Sequence, residues 1–392
     1  MDLLGRGVPA RGRAPRPGEC CANPALAATW KRLLAEVAGA GDREARIDAA
    51  REVWRTGFIA DALVRQAGRP TMDTSGERHA GTLTAADSPL VPAYETPVTY
   101  DWNGWTVCKA GPGARARSCS SKLALLPSEL PRYGSADYCN LLIEGCKLAM
   151  ADREAWYGRG RGAARRPAVG GYNAERRTGI GPRASHDLRP AAPAGAPPLS
   201  AHAVRRGTDE PGAGPMGVGE PHRRQEPHVP RARRTRRPRR RRHPRRHLPP
   251  GRRRPLGQHD RGTPSGGWLQ SNPVVPELGF PLGTRLQMTW LEEACGHPHP
   301  RPPTRTTLTP SMALRDGVPV MAFGTPGGDQ HDQWQLHFFL AVALRERVRG
   351  GLDLQGAVDA PNWHNDSFPG SFHPRGMRPG SVTSSPARTR RW

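Results

Sequence analysis

A long stretch without regular apolar spacing interrupts this chain and limits the folds that it can adopt. Residues 158–261 are dominated by glycine, proline, alanine and arginine, apart from the short sequence GGYNAERR at 170–177. Segments of this composition bury too little apolar surface to offset the entropy of ordering them, which predicts a disordered basic insert. The chain should therefore hold two patterned regions, 23–157 and 262–375, between a disordered start at 1–22 and a disordered tail at 376–392.

Composition agrees with this division. The 392 residues include 46 glycines and 43 prolines, and only 36% are apolar, so part of the chain is not expected to fold. The formal net charge of +24 is unevenly placed, because Arg231–Arg254 is rich in arginine and contains no acidic residue. The basic excess is a local property of this segment.

The region 23–157 has the periodicities of an α+β domain. Apolar side chains recur at helical spacing between residues 26 and 37 and again between 47 and 64, which predicts two or three amphipathic helices. Asn103-Gly104 lies between two alternating segments, and this dipeptide is the strongest short signal for a β-hairpin. A further long helix is predicted within residues 135–158.

Regular secondary structure is predicted again from Gly262 onward. Two short strands should meet at Asp316-Gly317, and HDQWQLHFFLAVALRERV at 331–348 predicts an amphipathic helix. Gly327 and Gly328 stand between the second strand and this helix. Backbone N–H groups at such a turn are unpaired and can bind an anion or a developing oxyanion. An ordinary strand-to-helix turn is the alternative interpretation of the same two glycines.

Several segments resemble the γ-glutamyltransferase family. Similar to its small subunit are TTLTPSMALRDGVPVMAFGTPGGDQHDQWQLHFFL at 306–340, GGLDLQGAVDAP and NWHNDSFPGSFHPR. Similar to the later part of its large subunit are NPALAATWKRLLAE at 23–36, GFIADALV, GTLTAAD and GGYNAERR. The resemblance implies a fold of the N-terminal nucleophile hydrolase class. This is an α+β fold with four layers in the order α-β-β-α, and this chain is expected to contain only part of it. In that class the proenzyme cleaves itself, and the freed N-terminal threonine is the nucleophile with its own amine as base.

The resemblance also implies an activity and roles for individual residues. The family transfers or hydrolyses γ-glutamyl groups of glutathione and related amides through an acyl-enzyme, with no metal or organic cofactor. Gly327 and Gly328 match the glycines that donate N–H groups to the oxyanion. Thr306 and Thr307 stand where the family binds the substrate carboxylate, although β-propensity alone would also explain them. Ser265 stands near the hydroxyl that assists the nucleophile.

The sequence departs from the family at two places. Gly267, Arg285 and Met288 stand where most members place an asparagine, a glutamine and an aspartate around the α-amino group, so γ-glutamyl specificity does not follow from these positions. The self-cleavage motif Gly-Asp-Thr-x-His is expected near His247, where no threonine occurs. Without that threonine neither self-cleavage nor acyl transfer has a nucleophile, which predicts an inactive chain.

Out-of-phase translation accounts for the missing motif. One choice of codons for Arg245–Asp260, read one base later, encodes Gly-Asp-Thr-Cys-His and then a segment that ends in Gly-Asn-Met. Residues 113–122, read two bases later, can likewise encode a segment that suits their position. We therefore hypothesise a frameshifted coding sequence, either a pseudogene or an error of sequencing. A nucleotide sequence whose other phases do not encode these segments would contradict the hypothesis.

Arg231–Arg254 also supports an alternative of a different class. An arginine-rich arm binds phosphates through counterion release, without base specificity and with strong salt dependence. The chain would then be a nucleic-acid-binding protein built on a degenerate hydrolase scaffold. The arm has no interleaved aromatic residues for base stacking.

No metal or membrane site is predicted. Cys295, His297 and His299 could ligate a metal, but a proline-rich loop holds ligand geometry poorly. The seven cysteines form no C-x-x-C and no regular framework, which fits a reducing compartment or a sequence under no selection. The start lacks the apolar run of a secretory signal and no window is apolar enough to span a bilayer, so a cytoplasmic location is the default expectation.

The histidines of the last region are expected to be structural. His331, His364 and His373 are interpreted as surface or core histidines rather than catalytic bases, because the threonine amine would do that work in the implied mechanism.

Overall fold

The computed structural model describes residues 22–72, 76–87, 96–110, 122–156, 170–191, 251–253, 259–261, 273–283, 306–325, 327–349, 351–371, 377 and 380–384. These residues belong to two compact units. The first unit draws on Met1–Tyr94 and Ser265–Arg285, and the second on Glu95–Pro264 and Leu286–Trp392. Each unit therefore combines sequence from before and after the arginine-rich segment.

The elements are numbered here in chain order. The helices of the described residues are α1 (Pro24–Glu36), α2 (Arg43–Thr56), α3 (Phe58–Ala67), α4 (Ala136–Trp156), α5 (Gly170–Thr178), α6 (His331–Arg349) and α7 (Leu354–Val358). The strands are β1 (Thr71–Met72), β2 (Arg78–His79), β3 (Val98–Trp102), β4 (Trp105–Lys109), β5 (Gly251–Arg253), β6 (His259–Arg261), β7 (Val274–Val275), β8 (Phe280–Pro281), β9 (Ser311–Arg315), β10 (Val318–Phe323), β11 (Trp363–Asn365) and β12 (Val382–Ser384). None of the described helices combines the length and the apolar character needed to cross a membrane.

The first unit is built on helices α1 to α3, as the periodicity predicts. Asn23 caps α1, because its side-chain oxygen accepts from the Leu26 N–H at 2.9 Å, and its amide donates to the Gly279 carbonyl at 2.6 Å. Gly279 has a φ of +73°, and a Cβ there would lie 2.3 Å from the Leu26 nitrogen. The turn between β7 and β8 is thus held against the start of α1 by one capping side chain.

The second unit contains an antiparallel sheet in the order β10-β9-β4-β3. Its inner pair joins β4 to β9, with Trp105 opposite Arg315 and Lys109 opposite Ser311. The two outer pairs are hairpins, as predicted at Asn103-Gly104 and Asp316-Gly317. The sheet is therefore assembled from two local hairpins that pair across a long separation in sequence.

Both hairpin tips have the backbone that their sequence requires. Asn103 and Gly104 have φ angles of +53° and +79°, and Asp316 and Gly317 have +49° and +79°. Two consecutive residues with positive φ give the two-residue turn whose twist matches that of the strands, and Asn-Gly and Asp-Gly tolerate it best. The residues at the two tips therefore determine where each hairpin turns.

Helix α6 packs on the sheet through aromatic contacts. The Phe339 ring meets Trp105 edge-on, with centroids 5.7 Å apart at 87°, and also stacks on Phe323 at 6.3 Å. Leu336 and Leu340 of α6 and Tyr138 and Leu142 of α4 complete the same core. The sequence predicts α6 as amphipathic, but the helix is buried on nearly all sides from His331 to Ala343. Its polar residues bond inside the protein, which removes the need for a solvent-facing side.

The predicted low-complexity segment 158–261 has regular structure at its described edges. Helix α5 covers the GGYNAERR sequence, and Arg176 pairs with Asp152 of α4 at 3.0 Å. The short strands β5 and β6 pair with each other, with Gly251 opposite Arg261. Residues 192–250, which carry most of the predicted disordered insert, lie outside the described residues.

Candidate functional site

The predicted oxyanion turn follows β10 in the second unit. Gly327 has a φ of +144°, and a Cβ on it would lie 2.6 Å from Cζ3 of Trp334 and 3.2 Å from Cδ2 of His331. Only glycine fits both this backbone conformation and this packing. Asp329 and Gln330 form a turn after Gly328 before α6 begins at His331, so the two glycines precede the helix by a short turn instead of adjoining it.

The threonine pair lies just ahead of β9 in the same unit. Thr307 is buried, and Thr306 is partly buried with its Oγ1 accepting from the Leu308 N–H at 3.1 Å. The Thr307 carbonyl lies 2.7 Å from Nδ1 of His331. Since His331 also packs against Gly327, one imidazole touches both the predicted carboxylate-binding segment and the predicted oxyanion turn.

The surroundings of His331 favour the neutral ring with its proton on Nδ1. Burial lowers the pKa of His331, and its side chain is inside the protein with only 4% of the residue exposed. A carbonyl oxygen can only accept, so Nδ1 carries the proton and Nε2 carries a lone pair. Nε2 is buried and has no hydrogen-bond partner among the described residues. The expectation of a core histidine agrees with its burial but leaves this nitrogen unexplained.

The turn is supported by a buried ion pair. Arg153 of α4 donates from Nη1 to Oδ1 of Asp329 at 2.8 Å, and the Ser371 N–H donates to the same carboxylate at 2.7 Å. The carboxylates of Glu154 and Asp329 raise the pKa of Arg153 against the opposing effect of its burial, so the guanidinium stays charged. This cation compensates the negative charge that directly follows Gly328.

A second buried polar cluster lies where β4 and β9 meet the start of α6. Lys109 donates from Nζ to Thr309 Oγ1 at 2.5 Å and to Ser311 Oγ at 2.6 Å, and lies 3.3 Å from the Asp332 carboxylate. The Gln335 side chain accepts from both Lys109 and Ser311. A serine beside a lysine can form a catalytic dyad, but both residues of this pair are buried and closed to solvent. The cluster fixes α6 to the sheet.

A cavity of about 360 Å³ opens near the turn. Its lining includes Trp334, whose ring packs on Gly327, and His364, whose ring meets Trp334 edge-on with centroids 5.4 Å apart. Thr325, Asn362, Trp363, Thr383 and Ser384 complete the wall. A volume of this size suits a small organic molecule.

Several sequence predictions lie outside the described residues. These are Ser265, His247, Gly267, Arg285, Met288, His373, the triad Cys295, His297 and His299, and all of Arg231–Arg254 except the three residues of β5. Among the residues that the structure does describe, no group of three or more histidine, cysteine and acidic side chains is arranged to hold a metal ion.

Comparison with known proteins decides the family. The sequence model of gamma-glutamyltranspeptidase matches residues 8–193 and 263–379. The chain belongs to the gamma-glutamyltranspeptidase family. No curated protein matches the chain. The matched ranges include the threonine pair and the two glycines, whereas residues 194–262 lie between the two matched parts.

Solved structures confirm the α+β fold. A structure of LmbA2991HD is 63% identical with a TM-score of 0.81, and a second LmbA2991 structure is 62% identical with a TM-score of 0.80. Each match covers 98% of this chain, which spans 61% of the length of the LmbA2991 chains. The cephalosporin acylase from Bacillus halodurans is 20% identical with a TM-score of 0.59; the match covers 90% of this chain and 52% of the acylase. That likeness confirms the predicted fold class.

Sequence reasoning missed the side chains that hold the family residues in place. Arg153 and Lys109 are charged residues in a helix and a strand, and nothing in their spacing marks them as buried. His331 begins α6 two residues after Asp329, yet its contact with Thr307 depends on how β9 approaches the helix. These contacts depend on tertiary packing and have no local signal.

Proposed function

We propose that this chain is a gamma-glutamyltranspeptidase family member that binds an acyl ligand at the threonine pair and the glycine turn but does not turn it over. One observation carries the proposal. The nucleophile is expected near His247, within the unmatched range 194–262, and residues 236–262 contain no threonine, serine or cysteine. A side chain able to attack a carbonyl and a freed N-terminal amine are both required, and this segment offers neither hydroxyl nor thiol.

The parent reaction assigns a role to each part of the site. A threonine Oγ would attack the amide carbonyl while its proton passes to the threonine amine, and the N–H groups of Gly327 and Gly328 would stabilise the oxyanion. Collapse of that intermediate would release the amine, and water or a second amine would then take the acyl group. Thr306 and Thr307 would hold the ligand carboxylate, and Ser265 would assist the nucleophile. The ligand class is a γ-glutamyl amide such as glutathione or a related acyl amide.

The contact between His331 and Thr307 supports ligand binding at this site. It joins the threonine segment to the glycine turn within the second unit, and Arg153 neutralises Asp329 beside that turn. A site that keeps its hydrogen-bond donors but lacks a nucleophile still binds the ground state of the substrate, since binding and bond cleavage use different groups.

The composition of the unmatched segment supports a frameshift as the origin of the loss. The hypothesis that Arg245–Asp260 is encoded out of phase predicts that a corrected chain regains the self-cleavage motif. Resequencing the gene across codons 105–265 tests this directly. A restored Gly-Asp-Thr-Cys-His would identify this chain as an artefact of sequencing, while unchanged codons whose other phases lack the motif would contradict the frameshift.

The function itself is tested on the purified chain and on a repaired one. The mass spectrum of the chain should show one species of about 42.7 kDa, with no cleavage product and no release of anilide from a γ-glutamyl anilide. The repaired chain, in which residues 245–259 are replaced by the in-phase peptide, should divide into two fragments and release the anilide. Titration calorimetry should detect binding of the anilide to the unrepaired chain. Turnover by the unrepaired chain, or no binding to it, would contradict the proposal.

Nucleic-acid binding remains the second candidate, supported by the local charge of Arg231–Arg254 within the unmatched range. It predicts that the chain shifts generic duplex DNA on a gel at low salt and loses most of this affinity between 50 and 200 mM salt, by about 10³-fold or more. Deleting residues 231–254 should abolish the shift. A shift that survives the deletion, or that ignores salt, would exclude this candidate.

A further inference from the structure

The inference concerns the cavity of about 360 Å³ in the second unit. Trp334 of α6 lines this cavity together with Trp363 and His364 of β11. Strand β12 adds to the wall, with Thr383 opposite His364 and Ser384 opposite Trp363 in the strand pair. A helix and a strand pair therefore bound the cavity, so regular secondary structure sets most of its shape.

The cavity is separate from the proposed acyl site. Its lining residues include neither threonine of the pair at 306–307 nor either glycine of the turn. Thr383 and Ser384 also lie beyond the family match, which ends at residue 379. Part of the wall is therefore built from sequence that the family model does not describe.

Packing holds the two indole rings of the wall in place. The Trp363 ring meets Tyr138 edge-on with centroids 6.2 Å apart, and the His337 ring lies 4.2 Å from it. The Trp334 ring meets His364 edge-on at 5.4 Å. Side chains that are already ordered lose little conformational freedom when a ligand binds. The two indoles therefore offer a preformed surface to another flat ring, in the offset or edge-on arrangements that aromatic pairs prefer.

The wall carries polar groups, but none of its seven side chains is acidic, a lysine or an arginine. Besides the two indoles and the imidazole, the lining has the hydroxyls of Thr325, Thr383 and Ser384 and the amide of Asn362. Hydroxyl and amide groups can both donate and accept hydrogen bonds. A charged ligand would lose its hydration without meeting an acidic, lysine or arginine side chain here, which costs more than burying a neutral polar group. The lining therefore suits an uncharged ligand with a polar substituent.

We propose that this cavity is a binding site for a neutral aromatic molecule of one or two fused rings that carries a hydroxyl or N–H group. The site goes beyond the proposed function, because it requires neither the threonine pair nor a nucleophile. The two indoles contact the rings of the ligand, and the neutral polar groups of the wall bind its substituent. Trp334 also packs on Gly327, so the ligand touches a side chain that supports the glycine turn.

Three compounds of similar size test the ligand class. 2-Naphthol is aromatic and uncharged at neutral pH, decahydro-2-naphthol keeps the hydroxyl without the aromatic rings, and 2-naphthoate replaces the hydroxyl with a charged group. By titration calorimetry at neutral pH the full chain should bind 2-naphthol in equimolar ratio, and each of the other two compounds about tenfold more weakly. No binding of 2-naphthol, or equal or tighter binding of either comparison compound, would refute the proposal.

The variant Thr383→Phe tests the location of the site. Thr383 lines the cavity and is an exposed strand residue, so a larger side chain there should take up ligand space and leave the fold intact. The variant should therefore lose 2-naphthol binding. Val382→Phe adds the same ring to the neighbouring residue of β12, which is not among the lining residues, and is the matched control that should keep the affinity. Undiminished binding to Thr383→Phe, or the same loss in both variants, would contradict the assignment.

A spectroscopic measurement on the parent chain covers the case in which Thr383→Phe does not fold. In the chain labelled with ¹⁵N-tryptophan, 2-naphthol should shift the indole N–H signals of Trp334 and Trp363. The signals of Trp30 and Trp54, which are exposed on the first unit, should stay in place. Shifts confined to Trp30 and Trp54 would show adventitious binding at exposed aromatic residues and would overturn the proposal.

Discussion

Arg153 near the end of α4 donates a hydrogen bond to the carboxylate of Asp329 across 2.8 Å, and both residues are buried. The two residues lie in different parts of the family match, 8–193 and 263–379. Their ion pair joins helix α4 to the turn between Gly328 and α6. The two matched parts of the chain therefore share one buried charge network within the second unit.

Removing Arg153 should destabilise the second unit strongly. Arg153→Met leaves Asp329 and Glu154 as buried carboxylates without their cation, and breaking a buried pair in this way costs about 3–5 kcal/mol. The free energy of unfolding in urea measures the effect. Arg43→Met, which removes an exposed pair with Glu44, should not change it measurably. Similar values for the two variants would show that the Arg153 pair contributes little.

A side chain at Gly327 should disrupt the candidate site. Gly327→Ala places a Cβ 2.6 Å from the Trp334 ring and forces alanine into a φ of +144°, at a cost of about 1–3 kcal/mol. Gly171→Ala in α5 is the control, because a Cβ there meets nothing within 4 Å. Urea unfolding should show a loss of stability for Gly327→Ala and no loss for Gly171→Ala. Equal stability of the two variants would contradict the observed packing of the turn.

Acid should destabilise the second unit partly through His337. Burial, with a contribution from Lys122, lowers the pKa of His337 to about 3, and the ring also faces the Trp363 backbone and His364. In the unfolded state the pKa of the side chain is about 6.5. Between pH 3 and pH 6.5 the unfolded state therefore binds a proton that the folded state does not bind. The contribution of neutral His337 to the free energy of unfolding is therefore fully present above about pH 6.5. It is lost as the pH drops toward 3.

The variant His337→Gln tests this titration. Glutamine stays neutral, so the stability lost between pH 7 and pH 4 should be smaller than in the parent by about 3 kcal/mol. Urea unfolding at the two pH values gives the comparison, with the exposed His79→Gln as control. An equal loss in the parent and in His337→Gln would show that other groups govern the acid response.

Aromatic residues on the first unit should limit solubility. Trp30 and Trp54 are 46% and 40% exposed with their rings 5.9 Å apart, and Leu34 of α1 is 67% exposed. Exposed apolar groups close together promote association. Light scattering should show aggregates of the parent chain and fewer aggregates of Leu34→Lys than of Val318→Lys, a control at an exposed strand residue. A monomeric parent that melts cooperatively would contradict the expectation.

Local features of the fold could be predicted from sequence. Helices α1 to α3, the long helix α4 and both hairpins follow from apolar spacing and from Asn-Gly and Asp-Gly turns, because each depends on residues close in the chain. The resemblance also assigns candidate roles to residues 306–307 and 327–328, and these roles stay predictions. Their placement near each other became clear only through the contact of His331 with Thr307.

Other features had no local signal. The pairing of β4 with β9 depends on the register between distant segments, and an alternating pattern such as WTVCK does not specify its partner. Helix α6 was interpreted as amphipathic because polar residues recur in it. The same residues, including Asp332, Gln333 and Gln335, are satisfied internally by partners from β9, β11 and the chain ahead of them, which sequence spacing does not reveal.

The pairing of β4 with β9 also has a consequence for synthesis on the ribosome. Lys109 and Thr309 are 200 residues apart in the sequence. The ribosome must therefore add about that length of chain after β4 before β9 can pair with it. At about 5–20 residues per second the delay is roughly 10–40 s. During this interval the β3–β4 hairpin presents an unpaired edge to other nascent chains.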